Sequence, residues 1–118
     1  MKFSIIIPAH NSYSFISSAI LEIQRQTFKD YELIVVCDRC EDETFSIAQE
    51  YADLIDVVDY GLDGLTRNRG IDLATGEWLL FMDDDDWWQD DSAFMIIAHA
   101  CKASDDFDVL AFSFTFGA

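Results

Sequence analysis

Residues 77–88 read EWLLFMDDDDWW. The run from Trp78 to Met82 is bulky and apolar, as expected for a buried strand. Four consecutive aspartates, Asp83 to Asp86, follow at once, and then Trp87 and Trp88. Adjacent carboxylates repel one another. They either fan out into water or gather around something positive, and the choice depends on what else the fold brings to the end of that strand.

Outward from this point, strand and helix patterns alternate. Phe3 to Pro8 is almost continuously apolar, as for a parallel strand covered on both faces, and Pro8 is expected to stop it. Asn11, Ser12 and Ser14 are candidate caps for a helix on which Phe15, Ile16, Ala19, Ile20 and Ile23 share a face. YELIVVC, residues 31–37, is a second buried strand. Glu41 and Asp42 favour the positive start of a second helix, with Phe45, Ala48 and Ala52 facing inward. LIDVVDY (54–60) is a shorter third strand and GLDG (61–64) a loop. A third helix is expected from about Leu65 to Ala74, capped by Gly76. After the strand EWLLFM, Asp90, Asp91 and Ser92 open a fourth helix with Phe94, Ile97, Ala98 and Cys101 on one face. FDVLAFSFTF (107–116) reads as a fifth strand.

This alternation predicts an α/β fold with a mostly parallel sheet of about five strands and helices on both faces. In such sheets ligands bind beyond the carboxyl ends of the strands. His10 and Asn11 follow the first strand, Asp38 the second, Arg67, Asn68 and Arg69 the third, and the aspartates the fourth. All four clusters are thus expected at one edge of the sheet, where scattered surface polarity has no reason to collect.

The chain has 118 residues and is 51% hydrophobic, which suits a single folded domain, residues 1–118, and argues against disorder. Its net charge of −16 opposes nucleic acid and anionic membranes as partners and favours a cation, or a ligand carried with one. No apolar run approaches a membrane span. The start, MKFSIIIPAHN, reads as a strand rather than a signal peptide. A cytoplasmic location is expected, at the inner face of the membrane for a longer protein. Three cysteines without a secretory signal are expected to be reduced. Cys37 and Cys40 form a lone CxxC: a redox pair whose thiolate Arg39 favours, or two packing cysteines, the second being preferred.

Asp83 and Asp85, with Asp86, make a DxD-like element of hard oxygen donors suited to Mg²⁺ or Mn²⁺, which grips phosphates through few protein carboxylates. The plainer alternative is a solvated acidic turn. An EF-hand fails for want of Gly at loop position six and Glu at position twelve. Asp38 suits a nucleobase N–H or a ribose hydroxyl, or a helix cap. His10 suits stacking on a base, or is a loop histidine. Arg67 or Arg69 near a diphosphate gives charge-assisted hydrogen bonds, the other pairing with a surface acid; Arg67 is the favoured one. Trp87 and Trp88 wall a sugar site or close the core.

With these residues in place the chain resembles glycosyltransferase family 2, of the GT-A fold. SIIIPAHN resembles that family's opening strand. QTFKDYELIVVCD is similar to its QTY…ELIVVDD segment. TRNRGIDLATGEWLLFMDDDDWW resembles ARNxGIxxAxGEYIxFLDxDDxW, including Gly70, Ile71, Ala74, Gly76 and Glu77. The resemblance implies a Rossmann-like nucleotide-binding half that takes a nucleotide-diphosphate sugar, a UDP-sugar above all, with a divalent metal. It implies that Pro8, Ala9, His10 and Asn11 line the nucleotide pocket, with His10 in the place of a stacking aromatic. Asp38 would recognise the base, Arg67 would lie by the nucleotide, and Asp83 and Asp84 would face it. Asp85 would be the main metal ligand, with Asp83 and Asp86 beside it.

Several residues depart from the pattern. Cys37 stands for a common Asp, Arg39, Cys40 and Glu41 for a usual Gly-Ser-Thr, and His10 for Tyr. The family's later half, with the acceptor site and general base, is not matched in these 118 residues. The expectation is therefore the leaving-group half of an inverting transferase acting on a saccharide or lipid-linked acceptor hydroxyl, inactive alone, with exposed sheet edges that favour self-association. A non-catalytic nucleotide- or metal-binding module and an aspartate-dependent phosphatase are the alternatives.

Overall fold

The computed structural model describes residues 2–85 and 91–103. Four parallel strands form one sheet: β1 (Phe3–Ala9), β2 (Tyr31–Asp38), β3 (Leu54–Val58) and β4 (Trp78–Phe81), in the order β3-β2-β1-β4. The connecting helices are α1 (Ile16–Gln24), α2 (Thr44–Tyr51) and α3 (Asp63–Leu73); α4 (Ala93–Ala103) follows β4. The proposed fifth strand, 107–116, lies outside the described residues.

The two central strands are buried almost throughout, which is why their sequences read as unbroken apolar runs. Alternate residues feed two cores. Phe3, Ile5, Ile7, Leu33, Val35 and Leu80 pack with Ile16, Ile20 and Ile23 of α1, Ala48 of α2 and Phe94 and Ala98 of α4. On the other face Ile6, Ile34 and Val36 meet Leu73 and Ala74 at the end of α3. Helices thus cover both faces, as the sequence predicts.

Pro8 does not end β1, which runs on to Ala9 beside Cys37 of β2. The Ile6 carbonyl accepts from Met82 N at 3.0 Å, so alternate residues of β1 turn their backbone groups toward β4. Pro8 has the same parity, and pairing with β4 stops at Ile6 opposite Phe81. Its missing N–H therefore falls where the neighbouring strand has already ended.

Two helix boundaries differ from expectation. None of Asn11, Ser12 and Ser14 caps α1 with its side chain. The Ser12 carbonyl accepts from Phe15 N and Ile16 N, both at 2.8 Å, and Phe15 stands at the cap, 58% exposed and off the buried face. Gly76 is not the cap of α3, because Ala74 leaves the helix in an extended conformation. Gly76 instead allows close passage: a Cβ there would lie 2.6 Å from Ser4 Oγ and 2.8 Å from both Lys2 O and Ser4 N.

Candidate functional site

The carboxyl ends of the strands open into one cleft of about 260 Å³, lined by the ends of β1 and β2 and by the segments that follow β3 and β4. Pro8, Ala9 and His10 come from the end of β1 and Asp38 from the end of β2. Asp63, Thr66 and Arg67 come from α3, and Asp83, Asp84 and Asp85 follow β4. The sequence prediction of a shared edge is met. Asp86, Trp87 and Trp88 lie outside the described residues.

Asp38 is 6% exposed and its carboxylate is turned to its own chain. Oδ1 accepts from Tyr60 N at 2.8 Å and Gly61 N at 3.2 Å. Oδ2 accepts from Gly61 N at 2.9 Å and Thr66 Oγ1 at 3.3 Å. Arg39 Nε lies 3.7 Å from Oδ1. Burial alone would raise the pKa, but the hydrogen bonds from Tyr60 and Gly61, Arg39 and Thr66 together hold it below the usual carboxylate value. Asp38 thereby fixes the loop that leads into α3, and with it the position of Thr66 and Arg67.

His10 is held at two points. Its Nδ1 lies 2.7 Å from the Asp38 carbonyl oxygen, and its backbone N–H donates to Asp84 Oδ2 at 3.1 Å. Asn11 follows at φ 43°, a left-handed conformation that Asn tolerates well. Its Oδ1 accepts from Glu41 N at 2.7 Å, so its side chain ties two loops together and does not line the cleft. Thr44 Oγ1 reinforces the tie by accepting from Ser12 N at 2.8 Å.

Arg67 donates from Nη2 to Asp83 Oδ1 at 3.1 Å. Arg69 points elsewhere, with Nε 2.6 Å from Asp56 Oδ2 on β3. The spacing separates the two: Asp63, Thr66 and Arg67 are three and four residues apart and so share a helix face. Asp63 and Thr66 are lining residues that the sequence reading missed. Starting the helix at Leu65 cut Asp63 off; the i, i+3, i+4 relation to Arg67 was the signal.

Asp83, Asp84 and Asp85 present hard oxygen donors. Among the described residues no group of three or more His, Cys, Asp or Glu closes on one point to hold a metal. That does not suit a cage built of protein alone. It does suit Mg²⁺ or Mn²⁺, which is ordinarily held by one or two carboxylates and completed by waters and substrate phosphates.

Cys37 is fully buried, and burial, aided by Cys40, pushes its thiol up to about 12. Cys40 donates from Sγ to the Ala9 carbonyl at 3.5 Å, and burial raises its pKa too. Arg39 does not offset this, since its guanidinium faces Asp38 and Gly61. Both are packing cysteines. No helix among the described residues is long and apolar enough to cross a membrane.

Known proteins resemble this chain in sequence and fold. The chain is 38% identical over 90 residues to the GalNAc(5)-diNAcBac-PP-undecaprenol beta-1,3-glucosyltransferase of Campylobacter jejuni, covering 70% of this chain and 29% of that protein. It is 41% identical over 88 residues to a PGL/p-HBAD biosynthesis glycosyltransferase of Mycobacterium bovis, covering 68% and 34%. The crystal structure of S. aureus TarS in complex with UDP-GlcNAc superposes with a TM-score of 0.80 at 30% identity, over 86% of this chain and 31% of that one. The chain therefore spans about a third of the length of these proteins. The family model "Glycosyl transferase family 2" matches residues 4–117, nearly the whole chain, and the strand-end cleft lies within that match. The chain belongs to glycosyl transferase family 2.

Proposed function

We propose that the cleft binds the nucleoside diphosphate of a sugar nucleotide, a UDP-sugar, and that this chain supplies the leaving-group side of glycosyl transfer to an acceptor hydroxyl. The observation that carries the reading is the convergence of four strand ends on one cleft that holds both a guanidinium and three adjacent carboxylates. Arg67 faces the diphosphate. Asp85 and Asp83, with Asp86 beside them, hold a divalent cation, Mn²⁺ or Mg²⁺, which when bound supplies charge neutralisation for the departing diphosphate. Pro8, Ala9 and His10 form the base end, and Asp38 fixes the wall between the base end and α3. The UDP-GlcNAc held by the S. aureus structure supports the choice of sugar nucleotide. The acceptor is read as a saccharide or lipid-linked saccharide, a reading supported by the undecaprenol-linked substrate in the name of the Campylobacter relative. The acceptor site and general base lie beyond these residues, and transfer inverts the anomeric centre.

Thermal unfolding with UDP and Mn²⁺, separately and together, tests the reading. A ligand that binds only the folded chain raises the melting temperature by mass action. Stabilisation by UDP that requires Mn²⁺ and is lost in Asp85→Ala is the expected result. A folded chain that neither ligand shifts, singly or together, would sink it.

A further inference from the structure

Among the described residues β3 pairs with β2 alone, so its other side is an edge of the sheet. In a parallel ladder the main-chain groups of alternate residues turn to the same neighbour. Arg39 N donates to the Val58 carbonyl at 3.0 Å, so Val58 turns toward β2. By the same alternation Leu54 and Asp56 turn toward β2, and the N–H and carbonyl of Ile55 and Val57 turn outward.

Such a row of outward groups is a template for strand addition. The composition of β3 does little to discourage it. The strand reads LIDVV, rich in β-branched residues and without Lys or Pro. Exposed Val57, Tyr60 and Leu62 continue an apolar surface along and beyond it. Asp56, the middle residue of the five, carries the strand's one charge. Its Oδ1 accepts from the outward-facing Val57 N at 2.9 Å, and its Oδ2 accepts from Arg69 Nε at 2.6 Å. The Arg69 guanidinium and the Val57 N–H hold this carboxyl below its ordinary value of 3.8, so it is ionised at neutral pH. The donor that an incoming strand would use is already taken, and the carboxylate that takes it is anchored from α3.

We propose that Asp56, anchored by Arg69, guards the β3 edge against strand addition by a second copy of this chain. Identical edges meet by a two-fold rotation, which lays β3 antiparallel to its own copy. A rotation axis at the middle of the strand sets Val57 N–H against the Ile55 carbonyl of the second copy. It also sets the two Asp56 residues directly opposite each other, in the kind of pair whose side chains come closest. The guard therefore acts twice. It occupies the donor, and it places like charges face to face, which is destabilising in a sheet. This surface lies outside the cleft, and the inference is independent of what the cleft binds.

Sedimentation equilibrium of the 118-residue chain over a range of concentrations tests the assignment, at high ionic strength to screen the net charge of −16. Asp56→Ala frees the Val57 N–H and removes the charge, and it should self-associate about tenfold more tightly than wild type. Asp56→Ala with Val57→Pro removes the freed N–H as well. It should return to wild-type behaviour, since proline is tolerated where the N–H faces away from the neighbouring strand. Amide exchange of the wild-type chain reads the cap directly: the Val57 N–H should be protected although it faces outward. A folded Asp56→Ala chain that associates no more than wild type overturns the proposal. So does a double variant that associates as tightly as Asp56→Ala, or a wild-type chain whose own association Val57→Pro abolishes. If Asp56→Ala does not fold, exchange decides: a protected Val57 N–H supports the guard, and one that exchanges at the unprotected rate overturns it.

Discussion

Arg67 and Asp83 meet across 3.1 Å, joining α3 to the first of the aspartates beyond β4. The Arg67 side chain is 36% exposed and that of Asp83 57%. A pair this open contributes little to stability, about 0–1 kcal/mol. Its effect is positional, because it holds a guanidinium at the place assigned to the diphosphate. Arg67→Ala should therefore weaken UDP binding about tenfold while changing unfolding free energy by less than about 1 kcal/mol. Arg67→Lys should recover only part of the affinity, because a lysine lacks the planar fork. Calorimetric titration and denaturant unfolding of the same samples check this. A loss of stability matching the loss of binding would assign Arg67 a structural role instead.

Glu32 is buried on β2, beyond the site, and binds two distant segments. It accepts from Ser4 Oγ at 2.6 Å, from Thr75 N at 2.6 Å and from Thr75 Oγ1 at 2.9 Å, and Lys2 Nζ lies 3.5 Å away. Burial pushes its pKa up, but these bonds and Lys2 outweigh burial and bring it from 4.5 to about 2. A depressed carboxylate stabilises the fold in full above its unfolded pKa and loses that contribution as pH falls through the folded one. Stability should therefore decline between about pH 4.5 and about 2 on account of this group. Glu32→Gln should cost on the order of 1–3 kcal/mol at neutral pH and flatten the acid limb. Urea unfolding at several pH values reads both. An unchanged acid limb in the variant would contradict the assignment.

What was legible in the sequence, and what was not, follows from the range of the interactions. β1 and β2 could be read because buried parallel strands carry near-continuous apolar runs; β4 carries such a run too, but it was expected to be buried and instead leaves Leu79 and Phe81 each 41% exposed, because among the described residues it stands at the edge of the sheet. The shared cleft could be read because strand ends in such a sheet point one way. The start of α3 could not. Its buried residues are Thr66 and Gly70, so it offers no apolar stripe for periodicity to find. The partners of Glu32 were not legible, because they stand 28 and 43 residues away. The occupied state of Asp38 was hidden for the same reason: Tyr60, Gly61 and Thr66 reach it only once β3 has been laid beside β2.

Two glycines that match the family pattern make different contacts, and this gives a graded prediction. A Cβ on Gly70 would lie 2.4 Å from Cγ2 of Ile6, a side-chain atom in the core under α3. A Cβ on Gly76 would meet main-chain atoms, Lys2 O and Ser4 N, at 2.8 Å. Side chains yield more readily than a sheet backbone. Gly70→Ala should cost about 1–3 kcal/mol, and Gly76→Ala should cost more. Denaturant midpoints order the two. A Gly76→Ala chain as stable as wild type would show that β1 and the turn before β4 do not pass as closely as described.

Asp38→Asn separates the two roles open to the residue at the end of β2. An amide keeps the size of the side chain but replaces one oxygen by an NH₂ group. If that group faces Gly61 N or Tyr60 N, donor meets donor; in either flip at least one main-chain N–H loses a partner. The loop before α3 then loosens, at a cost of about 1–3 kcal/mol, and Thr66 and Arg67 shift with it. Melting temperature and UDP affinity should therefore fall together. The wild-type contribution also has a pH signature. The depressed pKa means it is present above the ordinary carboxylate value of 3.8 and fades as pH falls below it. A variant that melts like wild type but binds UDP more weakly would make the carboxylate itself a nucleotide contact.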